Sequence, residues 1–223
     1  MLMAKAVIFD WDGTLADTRK AVVQSFQTVL TEAGCRVSDE FIVKRIGIGT
    51  KKTIIEAFRK CRKRLDVATL EKLANEKVNI QTELSDSVYL YDGITELLEA
   101  LQRKTKIALA TMSGRKVIDK LLQTKRLTAY FDVVVSADDV TYPKPDPEVF
   151  LMAAKKMGVS PKDCIVIEDS VFGVRAAKAA NMKCIAVPSG AYNTNELKHE
   201  QPDLMISSLR EQEKILAFIF DGK

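Results

Sequence analysis

Two aspartates one residue apart follow the first apolar run of the chain, in Phe9-Asp10-Trp11-Asp12-Gly13-Thr14-Leu15. Carboxylates at that spacing beyond a strand can share one small site, and a hard divalent cation with oxygen ligands offsets their repulsion. Taken alone the segment also reads as a turn, because Asp-Gly is a common turn dipeptide. A second acidic pair, in Ile167-Glu168-Asp169-Ser170, ends another apolar run. It can complete an oxygen-ligand set, or Asp169 can simply cap the helix that follows. Lys144 stands in Tyr142-Pro143-Lys144-Pro145-Asp146-Pro147, where flanking prolines fix the backbone around a cation; the plain alternative is a solvated surface lysine. Thr111-Met112-Ser113-Gly114 follows Ile107–Ala110 and offers hydroxyl and N–H donors to an anion at a helix start.

The elements that must position these residues are legible in the apolar pattern. Ala6–Phe9, Ile107–Ala110, Val133–Val135, Cys164–Ile167, Cys184–Val187 and Leu204–Ile206 read as short buried strands. They alternate with amphipathic stretches, as in a parallel sheet covered by helices. Ser113 is placed to cap a helix running to about Lys125, Pro147 to open one ending near Gly158, and Ser170 to precede Gly173–Ala180. This predicts a doubly wound α/β core, in which ligands bind beyond the carboxyl ends of the strands. Roughly a hundred residues separate Phe9 from Ile107, far more than one crossover needs. Most of that gap is helical in period, with Val22, Val23, Phe26, Val29 and Leu30 on one face and Ile54, Ile55, Phe58 and Leu65 on another. Ile94, Leu97, Leu98 and Leu101 mark the true crossover helix. The expected organisation is a core of residues 1–16 and 89–223 with an inserted helical cap at 17–88.

The four segments, in this order at successive strand ends, resemble the four motifs of the haloacid dehalogenase superfamily. The resemblance spans nearly the whole chain, and the helical insertion is similar to the cap of the subfamily with phosphoglycolate phosphatases and β-phosphoglucomutases. It implies a Rossmann-like core and Mg²⁺-dependent phosphoryl transfer. It makes Asp10 the nucleophile and Asp12 the general acid/base. Thr111, the Met112 backbone and Lys144 would hold phosphate, and Asp10, Asp12, Glu168 and Asp169 would form the metal site, with Asp169 the stronger choice for direct ligation. The all-oxygen donor set favours Mg²⁺ over Zn²⁺.

Within the superfamily, Asp12 favours phosphate esters over halides or phosphonates, since an alkoxide leaving group needs a proton donor. β-Phosphoglucomutases carry a histidine twelve residues after the nucleophile; here that position is Val22, which points to a phosphatase acting on a small phosphorylated metabolite. A phosphomutase and a catalytically idle binding protein with a basic cap are the alternatives. In Arg45-Ile46-Gly47-Ile48-Gly49-Thr50-Lys51-Lys52, Gly47 and Gly49 allow tight turns, and Lys51 or Lys52 can meet a second anionic group; a plain interhelix connection explains the same residues. Met112 departs from the Asn or Ser commoner there in related enzymes.

Composition agrees with a globular enzyme: 47% apolar and 29% charged residues, with a net charge of +4. Residues 17–88 hold 14 basic against 10 acidic side chains, so the whole excess lies in the expected cap. Five of the six residues from Arg59 to Arg64 are basic and would surround a helix apart from Cys61. No aromatic platform accompanies them, so a nucleic-acid partner is not favoured. No apolar run can span a bilayer and the N-terminus lacks a leader pattern. Cys164 and Cys184 lie in strand-like runs and read as reduced core residues, and the four cysteines form no CxxC pair; the expected setting is the cytoplasm. His199, in a polar stretch, reads as a surface residue.

Overall fold

The computed structural model describes residues 4–221. In chain order the elements are β1 (Ala6–Phe9), β2 (Ala16–Asp17), α1 (Arg19–Glu32), α2 (Asp39–Val43), α3 (Thr50–Lys60), α4 (Val67–Glu83), β3 (Tyr89–Leu90), α5 (Ile94–Gln102), β4 (Lys106–Ala110), α6 (Arg115–Thr124), β5 (Val133–Val135), α7 (Glu148–Met157), β6 (Cys164–Glu168), α8 (Val171–Ala179), β7 (Lys183–Ala186), α9 (Thr194–His199), β8 (Leu204–Met205) and α10 (Gln212–Phe220). Six strands form one parallel sheet in the order β5-β4-β1-β6-β7-β8.

Unbroken apolar strands follow from cover on both faces. Along β1, Val7 and Phe9 enter one cluster with Leu97 of α5, Val117 of α6 and Phe218 of α10. Ala6 and Ile8 enter the other, with Phe150 of α7, Val174 of α8 and Leu197 of α9. Because side chains alternate along a strand, the register of β1 is locked from both sides. That lock sets which residue emerges at its carboxyl end.

Between β2 and β3 the chain forms α1–α4, which share a third apolar cluster built on Phe26, Leu30, Ile42, Ile54, Phe58 and Leu73. The antiparallel ribbon β2–β3, with Ala16 opposite Leu90 and Asp17 opposite Tyr89, carries the chain out of the sheet layer and back. No helix of the described residues is long and apolar enough to cross a membrane.

Three local expectations differ from the structure. α6 is capped by Gly114 rather than Ser113, because the Ser113 hydroxyl is drawn to Asp12; the Asp138 carboxylate accepts from the first helical N–H, of Arg115, at 2.6 Å. α3 stops at Lys60, and Arg62 adopts φ 53°, so Arg62–Arg64 leave the helix instead of encircling it. Ile55 is exposed and Leu65 lies beyond α3, so the apolar face of that helix is Ile54, Ala57 and Phe58. Cys164 and Cys184 are free and buried, as expected. Cys35 and Cys61 form a disulfide with Cα atoms 5.7 Å apart. Twenty-six residues separate them in sequence, and only the packing of the α1–α2 connection against the end of α3 brings them together. His199 ends α9 and is exposed.

Candidate active site

The site grows out of strand register. Phe9 pairs with Leu109 on one side and Ile167 on the other, so Asp10 comes level with Ala110 and Glu168. The Asp10 N–H donates to the Ile167 carbonyl at 3.1 Å, and the Thr111 N–H to the Val135 carbonyl at 3.0 Å. The carboxyl ends of β1, β4 and β6 thereby deliver three of the four sequence segments to one place.

The fourth arrives from the loop after β5. Lys144 is fully buried; its ammonium donates to Asp10 Oδ1 at 2.6 Å and to Glu168 Oε1 at 2.7 Å, over the Phe150 ring. Burial opposes the charge on Lys144, but the two carboxylates outweigh it and hold its pKa above the usual lysine value. Removing one partner of such a buried pair typically costs about 3–5 kcal/mol. A surface lysine is therefore excluded.

Glu168 and Asp169 divide the work. Glu168 Oε2 accepts from the N–H groups of Asp169 and Ser170 and from the Ser170 hydroxyl, and Oε1 from Lys144. Both its oxygens are engaged. Asp169 Oδ1 accepts from the Thr14 hydroxyl at 3.0 Å. Its Oδ2 fills space that only glycines leave open: a Cβ on Gly13 would lie 2.3 Å away and one on Gly190 1.7 Å away. Gly13 also has φ +88°, a conformation that side chains strain against.

Asp10, Glu168 and Asp169 each offer an oxygen within 4.8 Å of the others, all three buried. Burial pushes the Asp10 carboxyl up to about 8 against the pull of Lys144, and burial with Glu168 beside it pushes Asp169 well up too. Three acids with a single cation among them have an unmet need for positive charge. An oxygen-only set of that kind suits a hard divalent ion such as Mg²⁺.

The Asp12 carboxylate is not in that cluster, contrary to its placement among the metal ligands. Oδ1 accepts from the Thr18 hydroxyl at 2.7 Å, and Oδ2 from Ser113 at 2.6 Å and Thr111 at 3.4 Å. Thr18 stands at the N-cap of α1 yet makes no side-chain cap; its hydroxyl serves Asp12 instead. Trp11 packs into the apolar cluster under the sheet, which turns the side chains on either side of it outward.

One site residue escaped the sequence reading. Lys77 of α4 is 3% exposed, lines the same crevice as Asp12, Val22 and Phe26, bonds the Gln81 side chain and lies over the Phe26 ring. Burial lowers its pKa to about 8, with Asp12 pulling upward. A signal existed: Lys77 continues the Leu73–Ala74 stripe at helical spacing, where a solvated lysine does not belong. Gly47 and Gly49 line that crevice, with Val22 as an apolar wall. Lys51 and Lys52 do not reach it; Lys51 pairs with Glu71 at 2.6 Å, and both border a larger cavity to one side.

A doubly wound sheet carries a buried lysine and a cluster of three buried acids at its carboxyl edge. Residues 7–187 match the haloacid dehalogenase-like hydrolase family, and the chain belongs to it. It is 35% identical over 221 residues to the putative phosphatase YhcW of Bacillus subtilis, covering 98% of this chain and 97% of that one. It is 34% identical over 187 residues to the fructose-1-phosphate phosphatase YqaB of Escherichia coli, covering 81% and 95%. Among solved structures, β-phosphoglucomutase from Clostridium difficile superposes with a TM-score of 0.86 at 28% identity, covering 97% and 99%. The chain is an enzyme, a phosphatase of this family.

Proposed function

We propose that the protein hydrolyses a small phosphorylated metabolite by way of an aspartyl-phosphate on Asp10, with Mg²⁺ as cofactor and residues 17–88 as a cap that closes over the site. The observation that carries the reading is the buried bridge of Lys144 between Asp10 and Glu168, beside the buried Asp169. Asp10, Asp169 and, less directly, Glu168 would hold the cation, which supplies charge neutralisation for the transferring phosphoryl group.

Lys144 engages Asp10 Oδ1 and leaves the second oxygen to attack phosphorus in line, splitting one hard displacement into two easier ones. Asp12, aimed by Thr18 and Ser113, protonates the leaving oxygen and then takes a proton from the water that cleaves the intermediate. The Thr111 hydroxyl, which meets the Asp12 carboxylate at 3.4 Å, and the Met112 N–H would receive phosphoryl oxygens. Lys77 and Arg45 both line the crevice beside Asp12, where their charge favours the phosphoryl end of a substrate, and exclusion of water there strengthens each of these interactions. The composition and the phosphorylated substrate suit a cytoplasmic enzyme.

Phosphate release from a panel of phosphorylated metabolites, with and without Mg²⁺, tests this. Wild type should turn over only with the cation, and Asp10→Asn should lose activity entirely; normal turnover by Asp10→Asn refutes the reading. The structural likeness to a β-phosphoglucomutase favours a second reading, isomerisation without net phosphate release. Val22 in the crevice weighs against it, and ³¹P NMR of the products separates the two.

A further inference from the structure

The crevice beside Asp12 is too small for a substrate. It encloses about 20 Å³, room for about one water. Next to it, between the core and helices α3 and α4, lies a cavity of about 480 Å³, within the range of pockets that hold ring-sized ligands. Three residues border both spaces: Gly49, Thr50 and Met112. Met112 comes from the core and Gly49 from the helical segment, and they meet closely: a Cβ on Gly49 would lie 3.4 Å from the Met112 methyl carbon. The thioether side chain, pressed against a residue with no side chain, forms the wall between the two spaces.

We propose that Met112 is a specificity gate and that the larger cavity receives the alcohol part of the substrate, a ring-sized group bearing hydroxyl or carbonyl functions. The inference rests on the phosphatase reading above. The cavity lining supports that chemistry. Val78, Val140 and Pro143 supply apolar surface, while Asn75, Lys52 and Thr141 supply donors and acceptors. A two- or three-carbon acid would leave most of such a space unfilled. Methionine suits a gate because three rotatable bonds let it swing aside without moving the backbone. A passage opened at Met112 runs from the phosphoryl site beside Asp12 into the cavity, so an ester can lie with its phosphate at Asp10 and its ring beyond the gate.

The test compares wild type, Met112→Ala and Met112→Leu, each checked for folding by circular dichroism. Kinetics with 4-nitrophenyl phosphate and ethyl phosphate are paired with calorimetric binding of phenylphosphonate and methylphosphonate in Mg²⁺. Met112→Ala should raise the ring-over-ethyl preference in kcat/KM about tenfold, the scale of a few methylenes in a pocket, and should shift phenylphosphonate over methylphosphonate binding the same way. Met112→Leu keeps the volume with fewer rotatable bonds, so its ring-over-ethyl preference should not rise above that of wild type. Equal effects on the large and small ligands, or a fall in ring preference, overturn the gate. If no variant turns over either ester but the phosphonate preference still shifts in Met112→Ala, the gate stands and the hydrolytic reading falls. If the binding preference is unmoved as well, the gate falls.

Discussion

Replacing Lys77 by methionine separates the cost of a buried cation from its use. Lys77 is 3% exposed, and the Gln81 side chain is its hydrogen-bond partner. Burial lowers its pKa to about 8 from an ordinary 10.5, a gap equivalent to about 3 kcal/mol at 1.36 kcal/mol per pH unit. The sign follows from proton binding. Below pH 8 both folded and unfolded chains hold the proton, and the folded state carries the full penalty. Between pH 8 and 10.5 the unfolded chain binds more protons, so wild-type stability climbs through that window. Methionine has no proton to lose. The stability of Lys77→Met relative to wild type should therefore be greater at pH 7 than at pH 10.5 by about 3 kcal/mol, or about 6–12 °C in Tm for a chain of this size, from which the unpaired Gln81 side chain subtracts equally at both pH values. The relative stability of the variant should fall from pH 8 and level off near 10.5. Calorimetric melts of both proteins across the pH range measure it directly. The same variant should lose at least about tenfold in kcat/KM, because the cation facing the crevice is gone. A stability difference between the two proteins that is flat from pH 7 to 10.5 would refute the reasoning.

Gly190→Ala sets a Cβ 1.7 Å from Asp169 Oδ2, so the carboxylate must move. Mg²⁺ affinity by calorimetry should fall about 10–100-fold, with activity partly recovered at high Mg²⁺. Thr18→Val removes the 2.7 Å donor to Asp12. It should lower kcat about tenfold with little change in KM, since a misaimed acid slows proton transfer more than binding; unchanged kcat would show that Thr18 does not aim Asp12. Cys35→Ser opens the link across the 26-residue separation between Cys35 and Cys61. Thermal melts should show a loss of about 3 kcal/mol, and the variant should no longer respond to reductant, whereas wild type should.

The gathering of the acidic residues was legible because Asp10, Glu168 and Asp169 lie at the ends of the strands that carry them. Ala6–Phe9, Val133–Val135 and the run beginning at Cys164 are apolar and short, so their ends, and with them Asp10 and Glu168, could be placed within a residue or two. A parallel sheet then sends those ends to one edge whatever the helices do. Lys144 needed more: its prolines suggested a fixed backbone, but only the buried geometry turned a loop lysine into a bridge between Asp10 and Glu168.

What tertiary structure alone decided are the relations between distant segments. Nothing local distinguishes Glu168 from Asp169, and the split follows from which oxygens Lys144, Ser170 and Thr14 reach. The Asp12 carboxylate turns from the acidic cluster because Thr18 and Ser113 lie on its other side. Lys77 reaches the crevice, and Cys35 meets Cys61, through helix packing across α1–α4. Strand register is set by an alternating pattern of neighbours in sequence, and that pattern can be read. The docking of four helices on one another and on the sheet depends on side chains from all of them at once. The sequence by itself therefore determined which acidic and hydroxyl residues meet at the sheet edge, while the surroundings of that edge belong to the packed chain.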